Sequence, residues 1–549
     1  MERPSRAAFV GAVVAALIVL PGLGVGTLWD NSETAYGEVA REILLTHSWV
    51  VMHFKDVPYF VQPPLYFWLA ALFSLVGGPT AFALRLPSAL ATVALGAMTG
   101  WAVARQSGTR AGIYTSVVLS TCLMQVVIGR LAIMDALLDL TIALTIFWWF
   151  RGLETGRDRY FVYGWIAAAF GFLAKGLVAP VVALLVIVPF FFWNRASEPT
   201  RLPSAKAWLF GLLAFAAIAL PWPLALTAQF HALPLEKLIG QYTVGRYTGV
   251  IENQSGPVWY YLPVVVLGFF PWVAFLPLAA VYGVRALRSP SHDPKLARLL
   301  RLAFTWVVVP LAFFSFARTK LPNYVALELP ALALLIGLYF EAVARRGGTR
   351  SAVISASFVP LTIGSLALAI AIFASNNRLD ATVTQFLPGL VGMGAAIFAG
   401  SLLTALLLAI RRSVGLAPYA LAAAMLVAMD ALAIAVLPLA EAYKPIPRLA
   451  AIIQRERRPG DAVAIQNVSG GNSLVFYTTP NVEVLAPPDD PAPDNDGADP
   501  RIALCAAKRT WLVAPKARPV YDPTYGRIRT VVAVDQKTAL YLIHGPPCR

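Results

Sequence analysis

Several short stretches of this 549-residue chain place acidic, basic and aromatic side chains at spacings that could do chemistry. The first, WDNSETAYGEVARE, carries Asp30, Glu33 and Tyr36. The second, GRLAIMDALLD, sets Asp135 and Asp139 four residues apart, on one face of a helix. Lys175 stands in FLAKGLVAP, and FARTKLPNY gathers Arg318, Lys320, Asn323 and Tyr324. A longer stretch adds Arg246, Tyr247, Glu252 and Asn253. A carboxylate at the edge of an apolar run is costly unless paired, and Arg130, Lys175 and Lys320 are the candidate partners of Asp135. Cations at such an edge also neutralise a desolvated phosphate, while carboxylates stabilise a cationic centre or accept a proton. Each basic residue alone reads as a snorkelling anchor. Their gathering on one face is the informative feature.

The elements that must position these residues are membrane helices. Hydrophobic residues are 58% of the chain and charged residues 13%, so a bilayer has to serve as solvent. Apolar runs of about 20 residues recur from Phe9 to Leu439, each able to cross a hydrocarbon core of about 30 Å. The net charge of +15 lies in short loops between those runs, which argues against a nucleic-acid partner. Basic loops at Arg105/Arg110, Arg151/Arg157/Arg159, Arg195/Arg201/Lys206, Arg285–Arg301, Arg345–Arg350 and Arg411/Arg412 are predicted to be cytoplasmic. Ala7–Leu28 is the first span, and the stretches that could do chemistry fall on the outer face. Pro64–Val76 breaks this alternation and is short, so it is predicted to be a juxtamembrane or half-inserted helix. About 13 spans result, with the two chain ends on opposite sides. The expectation is a multi-pass inner-membrane protein. Its transmembrane domain is 1–440 with a periplasmic juxtamembrane loop 29–64, followed by a periplasmic α/β domain, 441–549.

Within the first loop, Ser32 caps a helix whose apolar side carries Tyr36, Val39, Ala40 and Ile43, with an acidic face turned to whatever lies above. The spans look clean of charge apart from Asp430, which disfavours a transporter. In the tail, a helix over Tyr443–Gly460 precedes β-like runs: DAVAIQ, SLVFYT, VEVLA, TWLVAP, RTVVAVD and TALYLIH. Cys505 and Cys548 are either bonded in an oxidising compartment or both free. No cofactor is required. Carboxylates such as Glu33 and Asp135 could hold a divalent metal, although no ligand spacing demands one.

The order W-D-x-x-E-T-x-Y-x-E-x-A-R-E, Y-F-x-x-P-P-L-Y-x-W-L, R-x-x-x-x-D-x-x-L-D, K-G and K-L-P-x-Y resembles the bacterial protein-O-mannosyltransferase-like glycosyltransferases of GT-C fold. Within that group it is similar to the aminoarabinose transferases that modify lipid A. The resemblance implies an inverting transferase that moves a sugar from undecaprenyl phosphate to lipid A at the periplasmic face. Its partners would be a polyprenyl-phosphate-linked sugar, lipid A or another periplasmic acceptor, and membrane lipids. A transferase with another lipid-linked sugar or acceptor is the alternative, then a lipid transporter. By the resemblance, Asp30 or Glu33 and then Asp135 act at the reaction centre. Tyr36, Tyr59, Gln62, Lys175, Arg246, Lys320 and Tyr324 would contact lipid phosphate and sugar. The chain departs from the family at Ser32, usually acidic there, and at Gln62, where a Lys often precedes the Pro-Pro.

Overall fold

The computed structural model describes residues 3–29, 32–198, 200–251, 254–289, 293–346, 350–376, 385–410, 413–466, 468, 471–478, 481–485, 507, 509–516, 528–535 and 538–544. The chain divides into two compact units: Met1–Gly24 with Phe60–Leu69 and Arg85–Val436, and Val25–Tyr59 with Ala70–Leu84 and Leu437–Arg549. The juxtamembrane loop and the tail thus share one unit.

The first unit is helical. Its opening helices are α1 (Pro4–Val19), the start of α3 (Leu65–Ser74), most of α4 (Ala81–Ser107), α5 (Thr109–Thr121), α6 (Leu123–Arg130), α7 (Asp135–Thr155), α8 (Asp158–Lys175), α9 (Val178–Arg195), α10 (Ala205–Ala219) and α11 (Pro221–Phe230). Among the described residues, seven helices are long and apolar enough to cross a membrane, or ten if each of three bent pairs is one span. That is fewer than thirteen, partly because α1 is only 16 residues long and α8 carries Asp158, Arg159 and Lys175 at its ends. Helix α3 has 10 residues, about 15 Å, too short to cross, as its sequence suggests.

The spans are less clean of charge than the sequence suggests. Asp139, Glu328, Arg85 and Arg301 are all buried. Arg85 donates to the Leu23 carbonyl and Arg130 to those of Ile18 and Pro21, so two guanidiniums satisfy carbonyls at the end of α1. At the opposite end, Arg298 and Arg301 pair with Glu198, and Arg151 with Glu154.

In the second unit, α2 (Ser32–Thr46) starts where the capping residue predicts. Its acidic face is buried rather than exposed, since Glu33, Glu38 and Glu42 are at most 1% accessible. Glu38 is held bidentately by Arg41 at 2.8 and 2.7 Å. Glu42 accepts the backbone N–H groups of Lys55 and Asp56. Those two residues turn the hairpin β1 (His53–Phe54) to β2 (Val57–Pro58) at φ of 57° and 61°, a conformation side chains other than Gly resist. The buried carboxylate secures that turn. Burial, reinforced by the Glu38 charge, pushes its own pKa up to about 7. Gly37 is required on the same helix because a Cβ there would meet Leu84 at 2.9 Å and Phe476 at 3.0 Å.

The tail forms a five-stranded sheet of order β4-β3-β5-β7-β6: β3 (Ala462–Gln466), β4 (Val482–Leu485), β5 (Arg509–Pro515), β6 (Ile528–Asp535) and β7 (Thr538–His544). β3 lies parallel to both β4 and β5, whereas β7 runs antiparallel to β5 and β6. The helix Pro445–Glu456 precedes it. One expected strand is a helix: SLVFYT lies in Gly471–Tyr477. Parallel β3 and β4 need a crossover between them, and that requirement overrides the β propensity of Val475, Phe476 and Tyr477. Leu474 and Val475 enter the core with Ile453, Val463, Trp511 and Leu540. Cys505 and Cys548 lie outside the described residues.

Asp461, just before β3, is the polar anchor of this core. Its carboxylate accepts from Arg509 Nε at 3.0 Å, the Arg458 N–H at 2.9 Å and Trp511 Nε1 at 3.0 Å. Burial pushes its pKa up, but these hydrogen bonds prevail and bring it down to about 2. A carboxyl depressed in the folded state stabilises it above the unfolded pKa, and that stability is lost as pH falls through the folded value. Asp461→Asn is therefore expected to cost the domain about 2 kcal/mol at neutral pH. Amide hydrogen exchange over β3 and β5 should quicken about 30-fold. In thermal unfolding, the gap between wild type and variant should close between about pH 4 and pH 2.

Candidate active site

Asp135 is the first residue of α7, where the positive end of the helix dipole favours a carboxylate. Lys175 is the last residue of α8, at the end that favours a cation. Gly176 follows at φ +69°, and although a Cβ there would meet nothing within 4 Å, only glycine adopts this conformation readily. The chain can then turn sharply after Lys175 into α9. The Lys175 ammonium donates to Asp135 Oδ1 at 2.6 Å. Asn323, in the 3₁₀ turn Pro322–Glu328, donates to the same oxygen, also at 2.6 Å. Residues far apart in the chain thus meet on one carboxylate. The Tyr324 ring lies 5.8 Å from the Lys175 ammonium and packs on Phe314 at 4.7 Å. One turn below, Asp139 has both carboxylate oxygens buried without a hydrogen-bond partner among the described residues.

Of the three candidate partners for Asp135, the structure selects Lys175. Arg130 is committed to the end of α1 and lies 3.9 Å from Asp430. The Lys320 ammonium donates to the carbonyls of Phe314 at 3.0 Å and Ser315 at 2.5 Å, closing the helix Pro294–Phe316. It sits 5.5 Å from the Tyr261 ring, and burial lowers its pKa. The neighbouring backbone brings in a second loop. The Thr319 N–H donates to Arg246 O at 3.1 Å, Arg318 N–H to Tyr247 O at 3.0 Å, and Lys320 N–H to Gln254 O at 2.8 Å. The Arg246 guanidinium covers the Tyr242 ring at 5.4 Å, and Tyr247 stacks on Phe313 at 4.7 Å. Gln62 is buried in this unit.

Glu33, Tyr36 and Tyr59 belong to the second unit. Glu33 Oε2 accepts the Trp29 N–H at 2.8 Å, and Tyr36 is half-buried on α2. The Tyr59 N–H donates to Met52 O at 2.8 Å, and its ring meets Phe54 at 6.3 Å. Asp30, Glu252 and Asn253 lie outside the described residues. Asn323, grouped by sequence with Arg318, Lys320 and Tyr324 but given no role, is brought to the Asp135 carboxylate. Among the described residues, no group of three or more His, Cys, Asp or Glu could hold a metal ion.

Residues 61–222 match the family described as dolichyl-phosphate-mannose-protein mannosyltransferase. An undecaprenyl phosphate-α-4-amino-4-deoxy-L-arabinose arabinosyl transferase of Aeromonas salmonicida is 30% identical over 386 residues, 68% of this chain and 67% of the relative. A transferase of the same description from Proteus mirabilis is 29% identical over 355 residues, covering 62% and 61%. The chain thus spans about three fifths of the length of that relative. The crystal structure of ArnT from Cupriavidus metallidurans bound to undecaprenyl phosphate superposes with a TM-score of 0.78 over 98% of both chains, at 20% identity. The fold therefore defines a multi-pass helical membrane protein of GT-C-like architecture. The chain belongs to the undecaprenyl phosphate-α-4-amino-4-deoxy-L-arabinose arabinosyl transferase family.

The Asp135–Lys175 pair makes a direct prediction. Lys175→Met leaves a buried carboxylate without its cation and should destabilise the protein by about 3 kcal/mol or more, read as a lower unfolding temperature. Asp135→Asn together with Lys175→Met removes both charges, so thermal stability should largely return. If the double variant is no more stable than Lys175→Met, the pair does not carry this energy.

Proposed function

We propose that this chain transfers a sugar, 4-amino-4-deoxy-L-arabinose, from undecaprenyl phosphate to lipid A on the periplasmic face of the inner membrane. The observation that carries this reading is the convergence of Lys175 and Asn323 on Asp135, in a chain of this family. As the sugar leaves, negative charge grows on the phosphate and positive charge on the anomeric carbon. Lys175, steered by Asp135, is the cation set to meet the phosphate, with Arg246 on the adjoining loop. A phosphate acceptor on lipid A is already anionic and needs little base catalysis, whereas a hydroxyl acceptor would need a carboxylate such as Asp30 or Glu33 to take its proton.

The membrane arrangement that fits has thirteen spans. The seven long helices and three bent pairs are joined by α1, α8 and Arg350–Asn376, with α3 lying short of a crossing. Every basic loop then faces the cytoplasm. The Asp135 end of α7, the Lys175 end of α8, Lys320 and everything after Leu439 face the periplasm.

Purified protein reconstituted with undecaprenyl-phosphate aminoarabinose and lipid A tests the reading. Wild type is expected to transfer the sugar, and Asp135→Asn to lose at least about 100-fold in rate. Asp30→Asn and Glu33→Gln, assayed separately, report on the first-loop carboxylates. Inactivity with this donor but activity with another lipid-linked sugar would move the specificity, consistent with Ser32 and Gln62 departing from the family. Inactivity with every donor would defeat the transferase reading.

A further inference from the structure

At the end of the helical unit remote from Asp135 and Lys175 lies a pocket of about 250 Å³. Its wall is a run of rings from successive helices: Trp149 on α7, Trp165 on α8, Phe191 on α9 and Trp208 on α10. Trp165 stands 5.1 Å from Trp149 and 5.8 Å from Trp208. Leu202 and Pro203, from the loop between α9 and α10, complete the lining. The outer rim is apolar and open, with Phe192 64% and Trp208 45% exposed. Water gains nothing in such a cavity, which offers it no hydrogen-bond partners.

Three cations stand beside the lining residues in the chain. Arg195, Arg201 and Lys206 lie within a few residues of Phe192, Leu202 and Ala207, which line or flank the pocket, and all three are exposed. The Arg195 guanidinium sits 5.8 Å from the Phe191 ring. Nearby cations on the inner side are paired: Arg151 and Arg298 with Glu154, and Arg298 and Arg301 with Glu198, three guanidiniums on two carboxylates. Among the described residues, none of Arg195, Arg201 and Lys206 has an ion-pair partner. An apolar slot beside three exposed cations, which outnumber the one carboxylate at this edge, Asp158 on Ser204, matches one chemistry.

We propose that this pocket binds one anionic phospholipid, an acyl chain lying against the tryptophans and the phosphate over Arg195, Arg201 and Lys206. The cytoplasmic placement of this basic loop assigns the lipid to the inner leaflet. The site rests on membrane insertion and not on the transferase reading, so each can fail alone.

Native mass spectrometry of the full chain, released from micelles of equimolar phosphatidylglycerol and phosphatidylcholine, tests it. Wild type should retain one phosphatidylglycerol with a preference of at least about tenfold, because each interfacial Lys or Arg contributes about a fivefold factor. The triple variant Arg195→Gln/Arg201→Gln/Lys206→Gln should fall to parity. Val188→Trp, which fills the slot, should abolish retention of either lipid. Because a variant could fold poorly, wild type is also probed with phosphatidylglycerol brominated on its acyl chains. Its tryptophan fluorescence should stay quenched after dilution into unbrominated phosphatidylcholine. Equal retention of both lipids by wild type, an undiminished preference in the triple variant, or immediate loss of quenching on dilution would overturn the proposal.

Discussion

A carboxylate cut off from water must find a cation, and the meeting of Asp135 with Lys175 fixes much around it. α7 and α8 are antiparallel neighbours joined by a short turn, so the start of one lies beside the end of the other. Each charge therefore sits at the favourable pole of its own helix dipole as well as beside its partner. Asn323 then ties a third segment to the same oxygen. A shift of the Asp135 end of α7 would cost both Lys175 and Asn323 their partner. This is a registration device as much as a chemical one, because two helices and a 3₁₀ turn are indexed to one atom.

The two lysines of this region do different work. An ammonium has three donors. Lys320 spends two on the carbonyls of Phe314 and Ser315, so its position is dictated by the end of a helix. Lys175 meets a carboxylate, the kind of partner that an arriving anion can compete with or be aligned by. Sequence placed both lysines on equal terms, since both stand in apolar surroundings next to a turn. Only their acceptors separate a lysine that closes a helix from one paired with a carboxylate.

That distinction marks the boundary of what sequence could tell. The start of α2 at Ser32, the shortness of α3 and strands such as TWLVAP and TALYLIH were legible, because caps, lengths and β-branched runs are local signals. SLVFYT was misread because the need for a crossover between parallel strands is not local. Asn323 was named in its stretch but given no role, because an amide becomes a site residue only through the partner it meets, 188 positions away in sequence. Glu328 was hidden for a different reason. A single acid in a long apolar run barely alters its hydropathy, yet in the folded chain it is a buried carboxyl. The burial of Glu38 and Glu42 reversed a simple amphipathic reading of α2, since Arg41 and the Lys55–Asp56 turn neutralise what the helix wheel would expose.

The cations at the opposite end extend the same logic. The positive-inside pattern assigns all of them a common topological role, yet they fall into two populations. Arg298 and Arg301 reach inward to Glu198, and Arg151 finds Glu154 on its own helix. With Arg298 also 3.6 Å from Glu154, these pairs tie the end of α7 and the segment after α9 to Pro294–Phe316, three guanidiniums on two carboxylates. Arg195, Arg201 and Lys206 project outward, so their field is left to act on whatever lies in the headgroup layer. A loop needs net charge to orient a membrane protein, but only charge left uncompensated beside a shaped apolar surface can also select a ligand. At Asp135 the fold spends its cation on an internal partner, whereas at the α9–α10 loop it leaves three in reserve.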